Sequence, residues 1–342
     1  MSNSANEWSL SPAQQAAHKD FTREQIVELV RKWGGSTTDA ALDPRMLSFT
    51  VPHVSGFISY RLACGCAIVF GDPICAPSDQ SALTQAFHRS MQELGKRVIY
   101  IAASPIFADW ASPQECKCLI EFGQELILDP SRDPSKNTGT YGSLVRRKVK
   151  AALRDEVKIQ EYLDTGDTAL EQEIEQVGDQ WLASRRGPQV HISDVYLFQD
   201  RVGKRWFYAT KGESIVGVLC LNRLEEQQGW LLNHLMITLD APTGTSELLI
   251  TTVLDILNQE GCRYVTVGMV TIGQLGKIVG LSPLFEWLAR KLFKLVSKVT
   301  RIDGLNTFWG KFQPTGRPSY LLFSEKTIGL KELFALKQAL SS

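Results

Sequence analysis

The chain is 342 residues long, 44% hydrophobic and 22% charged, with 37 Lys+Arg balanced by 37 Asp+Glu. That length suits about two domains with ordinary buried cores, and no window approaches the ~18 consecutive apolar residues that span a bilayer. Zero net charge excludes a global field for nucleic acid or membrane, so either partner must be met by a local patch.

In chain order, residues 1–19 are Ser-, Ala-, Asn- and Gln-rich and read as a disordered tail without the basic start or apolar run of a signal peptide. Phe21 to Trp33 predicts an amphipathic helix with a Thr22/Gln25 capping box and a Gly34-Gly35 stop. Gly56 to Leu62 alternates like a strand, Cys64-Gly65 turns, and Ala67 to Phe70 is a second strand. Gly71-Asp72-Pro73 opens a loop that ends at Ser78-Asp79, a candidate N-cap. A helix follows to Leu94, Gly95 stops it, and Arg97 to Ala102 is a third strand. The seven cysteines are odd in number and scattered, which fits a reducing compartment and a soluble, intracellular protein. The pairs Cys64/Cys66 and Cys116/Cys118 lack zinc-knuckle spacing and read as small buried residues.

Asp129 to Gly142, with Pro130, Pro134, Gly139 and Gly142 among polar residues, reads as a linker. The pattern then repeats. Ile215 to Leu221 is a strand, Glu225 to Gly229 a turn, and Trp230 to Ile237 the partner strand. Asp240-Ala241-Pro242-Thr243-Gly244 opens a loop, Thr245 or Ser246 caps a helix to Gln259, Gly261 stops it, and Tyr264 to Val267 is a strand. The expected architecture is therefore α/β with mixed sheets, in two tandem domains built on this repeated unit. One covers residues 20–130; the other covers 143–342 beyond a linker at 131–142. Inserted in the second, over 281–301, is an amphipathic helix with Leu284, Leu288, Leu292 and Leu295 in its apolar stripe and Arg290, Lys291, Lys294, Lys298 and Arg301 elsewhere. Such a helix is either a core element with a basic exterior or a lipid-contact element.

A loop entering a helix N-terminus gathers free N–H groups and the positive helix-dipole end, a place for anions or polarised carbonyls. The hairpin, loop-capped helix and further strand resemble the core of the GNAT acyltransferases. In that superfamily the loop carries a basic residue and glycines around the acetyl-CoA pyrophosphate. Here both loops hold an acid and a proline instead, which argues against acetyl-CoA as the donor.

Asp240-Ala241-Pro242-Thr243-Gly244-Thr245, Gly268-Met269, Lys311-Phe312-Gln313-Pro314, Arg317-Pro318-Ser319-Tyr320, the basic run Val145 to Lys150 and Gly71-Asp72-Pro73 together resemble the DUF2156 family. That is the catalytic domain of lysyl-phosphatidylglycerol synthases, the multiple peptide resistance factors. Trp181 to His191 with Asp194 is similar to fungal sterol aminoacyltransferases. The resemblance spans about residues 45 to 325. It implies transfer of an aminoacyl group from aminoacyl-tRNA, as co-substrate, to a lipid hydroxyl, with no cofactor, no metal and no DNA partner. The expected location is cytoplasmic, peripheral on the inner face of a membrane. The family's bacterial synthases carry a many-spanning membrane domain, and no such stretch lies within these 342 residues. Arg185-Arg186-Gly187 stands where lysyl enzymes have Glu-Lys-Gly-Phe, which leaves open which amino acid moves.

The expected roles follow. Asp240 is assigned to the substrate; Lys311 would steady an oxyanion, and His234 would serve as a base near neutral pH. Glu247 would hold an ammonium or favour the helix N-terminus electrostatically. Gly244, Thr245, His191 and Asp194 would line the substrate site, and Arg317 would hold phosphate. Arg146, Arg147, Lys148 and Lys150 form a basic helix for tRNA phosphates, or a solvated face. A peptide or protein amine as acceptor, and a non-catalytic domain that only binds tRNA or membrane, remain as alternatives.

Overall fold

In a computed structural model of the chain, residues 21–184, 195, 197–299 and 303–340 are described. Helix α1 (Arg23–Trp33) is closed at its start by the reciprocal Thr22/Gln25 capping box. A 3-10 turn over Thr38–Leu42 leads to β1 (Leu47–Phe49), β2 (Ile58–Ala63) and β3 (Cys66–Phe70). Next come α2 (Gln80–Glu93), β4 (Arg97–Ala103), α3 (Pro105–Gln114) and β5 (Cys118–Leu128). The basic segment is α4 (Gly139–Arg154), followed by β6 (Lys158–Tyr162) and α5 (Thr168–Ser184). The second unit is β7 (Lys204–Lys211), β8 (Ser214–Leu224), β9 (Gly229–Ile237), α6 (Thr245–Gln259) and β10 (Val265–Thr271). The chain then runs through β11 (Ile278–Val279), α7 (Pro283–Val299), α8 (Asp303–Gly310), β12 (Thr315–Phe323) and α9 (Leu330–Leu340).

The repeated unit of the sequence is present: antiparallel β2/β3 then parallel β3/β4, and antiparallel β8/β9 then parallel β9/β10. The units do not own separate sheets. One sheet runs β1-β2-β3-β4-β12-β5-β10-β9-β8-β7-β6. The last strand of each unit pairs with the other: β12 lies against β4, β5 lies against β10, and β5 and β12 pair from Cys118 to Ile127 at the centre. Division at 131–142 therefore marks a chain boundary, not a break in the hydrogen-bonded layer. The linker is also shorter than expected, because Gly139 and Gly142 already belong to α4, where Gly142 packs against the Asn137 backbone.

Alternation along β3 divides the core. Ala67 and Val69 enter a cluster with α2 and α3, whereas Cys66, Ile68 and Phe70 enter one with α9 residues Ala335 and Ala339. Phe293 and Ala289 of α7 pack on that second cluster. In the second unit, α6 and α4 cover the cluster of Leu219, Leu221 and Leu232, while α5 covers that of Val218, Cys220 and Met236. Cys66, Cys75, Cys116, Cys118, Cys220 and Cys262 are buried, and burial pushes the Cys66 thiol up to about 11.

Candidate functional site

The site is built where β9 ends and α6 begins. Gly244 precedes the helix at φ 98°, a left-handed conformation that glycine adopts without strain, and the carbonyl of Lys148 sits where a side chain would project. Neither Thr245 nor Ser246 caps the helix as expected: the Thr245 hydroxyl donates to the Pro242 carbonyl at 2.7 Å, and Ser246 donates to Glu247 Oε2 at 2.8 Å. Glu247, in the first helical turn, accepts on Oε1 from Lys311 Nζ at 2.6 Å, with the two side chains only 6% and 9% exposed. Lys311 Nζ also stands 3.8 Å above the Phe308 ring centroid and 5.3 Å from that of Phe312. Burial pushes the Glu247 carboxyl up, but the Lys311 hydrogen bond and charge and the Ser246 hydroxyl outweigh it and hold the pKa below the usual value.

Beside this helix start the sheet comes apart. Parallel β9 and β10 pair only at Trp230/Val265 and Leu231/Thr266. Beyond that, Asn233 is a bulge in β9, since Cys220 faces His234 and Leu221 faces Leu232. In β10 the register shifts between Thr266 and Met269, around Gly268 at φ 86°. Trp309, in the last turn of α8, and Phe312, just beyond it, join one buried cluster with Leu232 of β9 and Val270 of β10. Two diverging strands, a helix N-terminus and an ammonium under aromatic cover thus meet at one end of the sheet. In the first unit β3 and β4 stay paired from Cys66/Arg97 to Phe70/Ile101, and Gly71 N–H extends the ladder to the Ile101 carbonyl.

The structure brings together Gly244, Thr245, Glu247 and Lys311 among the expected site residues. Asp240 is exposed at the loop, and the Thr238 hydroxyl holds its carboxyl below the usual range. His234 pairs opposite Cys220, so it points to the α5 face of the sheet, away from the face where α6 presents Glu247. Arg317 lies in β12 opposite Glu125, 3.6 Å from its Oε2 and 5.6 Å from the Tyr264 ring, with its side chain 43% exposed. On α4, Arg146 turns inward and donates to the Ser135 and Asn137 carbonyls at 2.8 Å, while Arg147 and Lys150 are exposed. Lys148 is half-buried, and the next lysine along the chain after Lys150, Lys158, opens β6. Leu284, Leu288 and Leu292 of α7 face solvent rather than the core. His191 and Asp194, and the side chain of Leu295, lie outside the described residues.

Sequence reasoning missed a buried polar junction between the units. Asp39 accepts from Arg31 Nη1 at 2.7 Å and from the side-chain amides of Asn222 and the bulge residue Asn233. The signal was present in α1: Val27, Val30 and Arg31 are spaced as one buried stripe, with a charge where an apolar residue belongs. Also missed was Glu125, which accepts from the Tyr264 hydroxyl at 2.8 Å, and the environment of Asp72, whose carboxyl burial pushes up to about 6 although Ser104 N–H donates to it at 2.9 Å.

A strand–strand–helix–strand unit used twice, with the second copy opened beside its helix, places the chain in the class of GNAT-like mixed α/β proteins. More narrowly, the chain belongs to the family described as phosphatidylglycerol lysyltransferase, C-terminal, whose model matches residues 28–323. It is 25% identical over 325 residues to a phosphatidylglycerol lysyltransferase of Staphylococcus aureus strain MSSA476, covering 88% of this chain and 35% of that protein. A Staphylococcus epidermidis phosphatidylglycerol lysyltransferase is 23% identical over 322 residues, again with 35% of its length covered. The chain thus spans about a third of the length of these relatives. Its fold is similar to the C-terminal DUF2156 domain of a putative lysylphosphatidylglycerol synthetase from Agrobacterium fabrum (TM-score 0.74, 18% identity, 94% of this chain and 97% of that one). It is also similar to L-PGS from Bacillus licheniformis (TM-score 0.73, 16% identity, 93% and 97%). No helix among the described residues is long and apolar enough to cross a membrane.

Proposed function

We propose that the chain transfers an aminoacyl group from aminoacyl-tRNA to the hydroxyl of a lipid, phosphatidylglycerol-like or sterol. Its family and the phosphatidylglycerol lysyltransferases it resembles support a lipid acceptor. The observation that carries the reading is the seam between α4 and α6. The Lys148 carbonyl abuts Gly244, so the exposed cations Arg147 and Lys150 stand on the helix that touches the start of α6. A tRNA acceptor stem held on α4 through its phosphates brings its 3′ end towards Glu247, Lys311 and the parted strands.

The chemistry is ester exchange. The lipid oxygen attacks the aminoacyl carbonyl carbon, the bond from that carbon to the ribose oxygen breaks, and the lipid hydroxyl's proton ends on the released ribose oxygen. Lys311 has three N–H donors, of which Glu247 takes one. A second can meet the oxyanion of the tetrahedral intermediate, and the aromatic cover keeps water from competing. Because His234 faces the other side of the sheet, proton transfer runs between the two hydroxyls rather than through that ring. The same helix start is a poor seat for acetyl-CoA: the Glu247 carboxylate occupies its first turn and α4 closes on Gly244, where a pyrophosphate needs open amides.

The test is incubation with total charged tRNA, labelled in each amino acid in turn, and a lipid extract containing phosphatidylglycerol and sterol. Label in the lipid phase that disappears on ribonuclease treatment is the expected result. Label in peptide instead supports an amine acceptor, and no product with any amino acid overturns the reading.

A further inference from the structure

Two helices on the same face of the sheet leave their outer sides apolar. Helix α7 packs inward through Ala289 and Phe293, and α9 through Ala335 and Ala339, all against one cluster. Helices laid on one face of a sheet turn their outer sides the same way. On those outer sides Leu284 is 70% exposed, Trp287 58%, Leu330 72% and Phe334 57%, with Leu288 and Leu292 also in solvent. So many large apolar side chains on two helices of one layer mark a contact surface rather than scattered exposure.

The charges on the same two helices choose the occupant. The exposed charged side chains described are Lys291, Lys294, Lys331 and Lys337. The acids are engaged by protein: Glu286, half-buried, pairs with Arg290 Nη2 at 2.8 Å, and Glu332 is buried and holds Arg97 Nη1 at 2.6 Å. Among the described residues, apolar groups flanked by these exposed lysines match the headgroup boundary of an anionic bilayer, where long lysine stems reach phosphate while the apolar groups enter the acyl region.

We propose that α9 joins α7 in a two-helix face that docks the protein on an anionic bilayer. The face rests on the lipid-acceptor reading above, and it gives α9 a purpose that no motif assigned. Docking by two helices fixes the orientation of the sheet over the membrane, which one helix, free to roll about its axis, does not.

Flotation of the full chain, without tRNA, on vesicles of phosphatidylcholine alone and of phosphatidylcholine mixed with phosphatidylglycerol tests this apart from the chemistry. The wild type is expected to float with the mixed vesicles and to release in high salt. Leu330→Ser with Phe334→Ser should bind about tenfold or more weakly, as loss of two large buried side chains implies. Lys331→Glu with Lys337→Glu should weaken binding to mixed vesicles only. Ile106→Ser, which removes another exposed apolar group on α3, should bind as wild type. Circular dichroism and aminoacyl transfer to a short-chain, detergent-dispersed acceptor should be unchanged in the α9 variants. Undiminished flotation of Leu330→Ser/Phe334→Ser overturns the proposal, as does lipid-free self-association that these substitutions abolish. Flotation with the expected losses but without any tRNA-dependent product sustains the surface and removes the transfer reading instead.

Discussion

Replacing Lys311 by Met leaves the hydrocarbon stem against Phe308 and Phe312 but strands the Glu247 carboxylate, 6% exposed, without its cation. Breaking a buried pair from one side costs about 3–5 kcal/mol. The Ser246 hydroxyl and the positive end of α6 return about 0.5–1 kcal/mol, so a net loss of about 3 kcal/mol is expected. Glu247→Gln should cost a similar amount, because it leaves the ammonium buried. The double variant holds no buried charge and should lose only about 1–2 kcal/mol, far less than the sum. The pH dependence carries a second signature. In the wild type the folded Glu247 pKa is lowered, so its stabilisation is present above the unfolded carboxylate pKa and lost as pH falls through the folded one. In Lys311→Met only burial and the weaker helix-start contacts remain, the pKa moves up, and protonation relieves the variant first. The gap between wild type and Lys311→Met should therefore close as pH is lowered from 8 to 5. Urea unfolding at both pH values measures all four proteins. Single-variant losses under about 1 kcal/mol, or a double variant equal to the sum, would refute the account of the pair. If Lys311 also meets the oxyanion, Lys311→Met should lower kcat by about 100-fold or more with little change in KM.

Further expectations concern the surroundings. Arg147→Glu with Lys150→Glu should raise the KM for charged tRNA, leave kcat unchanged, and reduce the salt dependence of tRNA binding by about one phosphate per residue; an unchanged salt slope removes α4 as the tRNA surface. Gly244→Ala forces a side chain into a left-handed position against the Lys148 carbonyl, which costs about 1–3 kcal/mol in urea unfolding, and transfer should fall more than stability because α4 must move away from α6. Asp72, with a folded pKa of about 6 against an unfolded value near 3.8, contributes stability that is complete below the unfolded pKa and lost as pH rises through about 6. That loss amounts to up to ~3 kcal/mol, so Asp72→Asn, which keeps an acceptor for Ser104 N–H, should gain on the wild type between pH 4 and 7; parallel pH profiles of the two proteins would count against it.

Local signals carried much of the fold. The Thr22/Gln25 box, the Gly95 and Gly261 stops, and both hairpins stand where period and turn chemistry place them, because each depends on a few neighbouring residues. What periodicity could not convey is pairing across the chain. Nothing near Tyr320 says that it lies opposite Ala103 on one side and Glu121 on the other, so the exchange of last strands that joins the two units in one sheet was invisible. Even Pro318 is consistent only afterwards: it faces Gln124 of β5 at a position that β4 does not reach, where a missing N–H costs no ladder bond. At the site, Glu247 and Lys311 were both legible as candidates, but their union depends on α8, which the sequence reading did not contain. His234 lies on the sheet face opposite Glu247, because the bulge at Asn233 shifts the alternation of β9 by one residue.

The two copies share an order of elements and differ in what holds their parallel strands. In the first, five pairs and the Gly71 amide close β3 on β4, and the neighbouring carboxylate, Asp72, is spent on the Ser104 amide. In the second, the pairing stops after two residues, and one of the residues that ends it, Asn233, is tied through Asp39 to Arg31 of α1. The opening is thus braced from the first unit. Asp39 bridges a helix of the N-terminal half to two strands of the C-terminal half, and the Ser36 carbonyl of the same segment lies 4.0 Å from where a side chain on Gly268 would stand. A second copy cut away from the first would lose both this brace and β5, the partner that holds β10 apart from β9. Duplication in this chain therefore supplies a frame for one opened site, and the strand exchange at the centre is what makes the frame rigid.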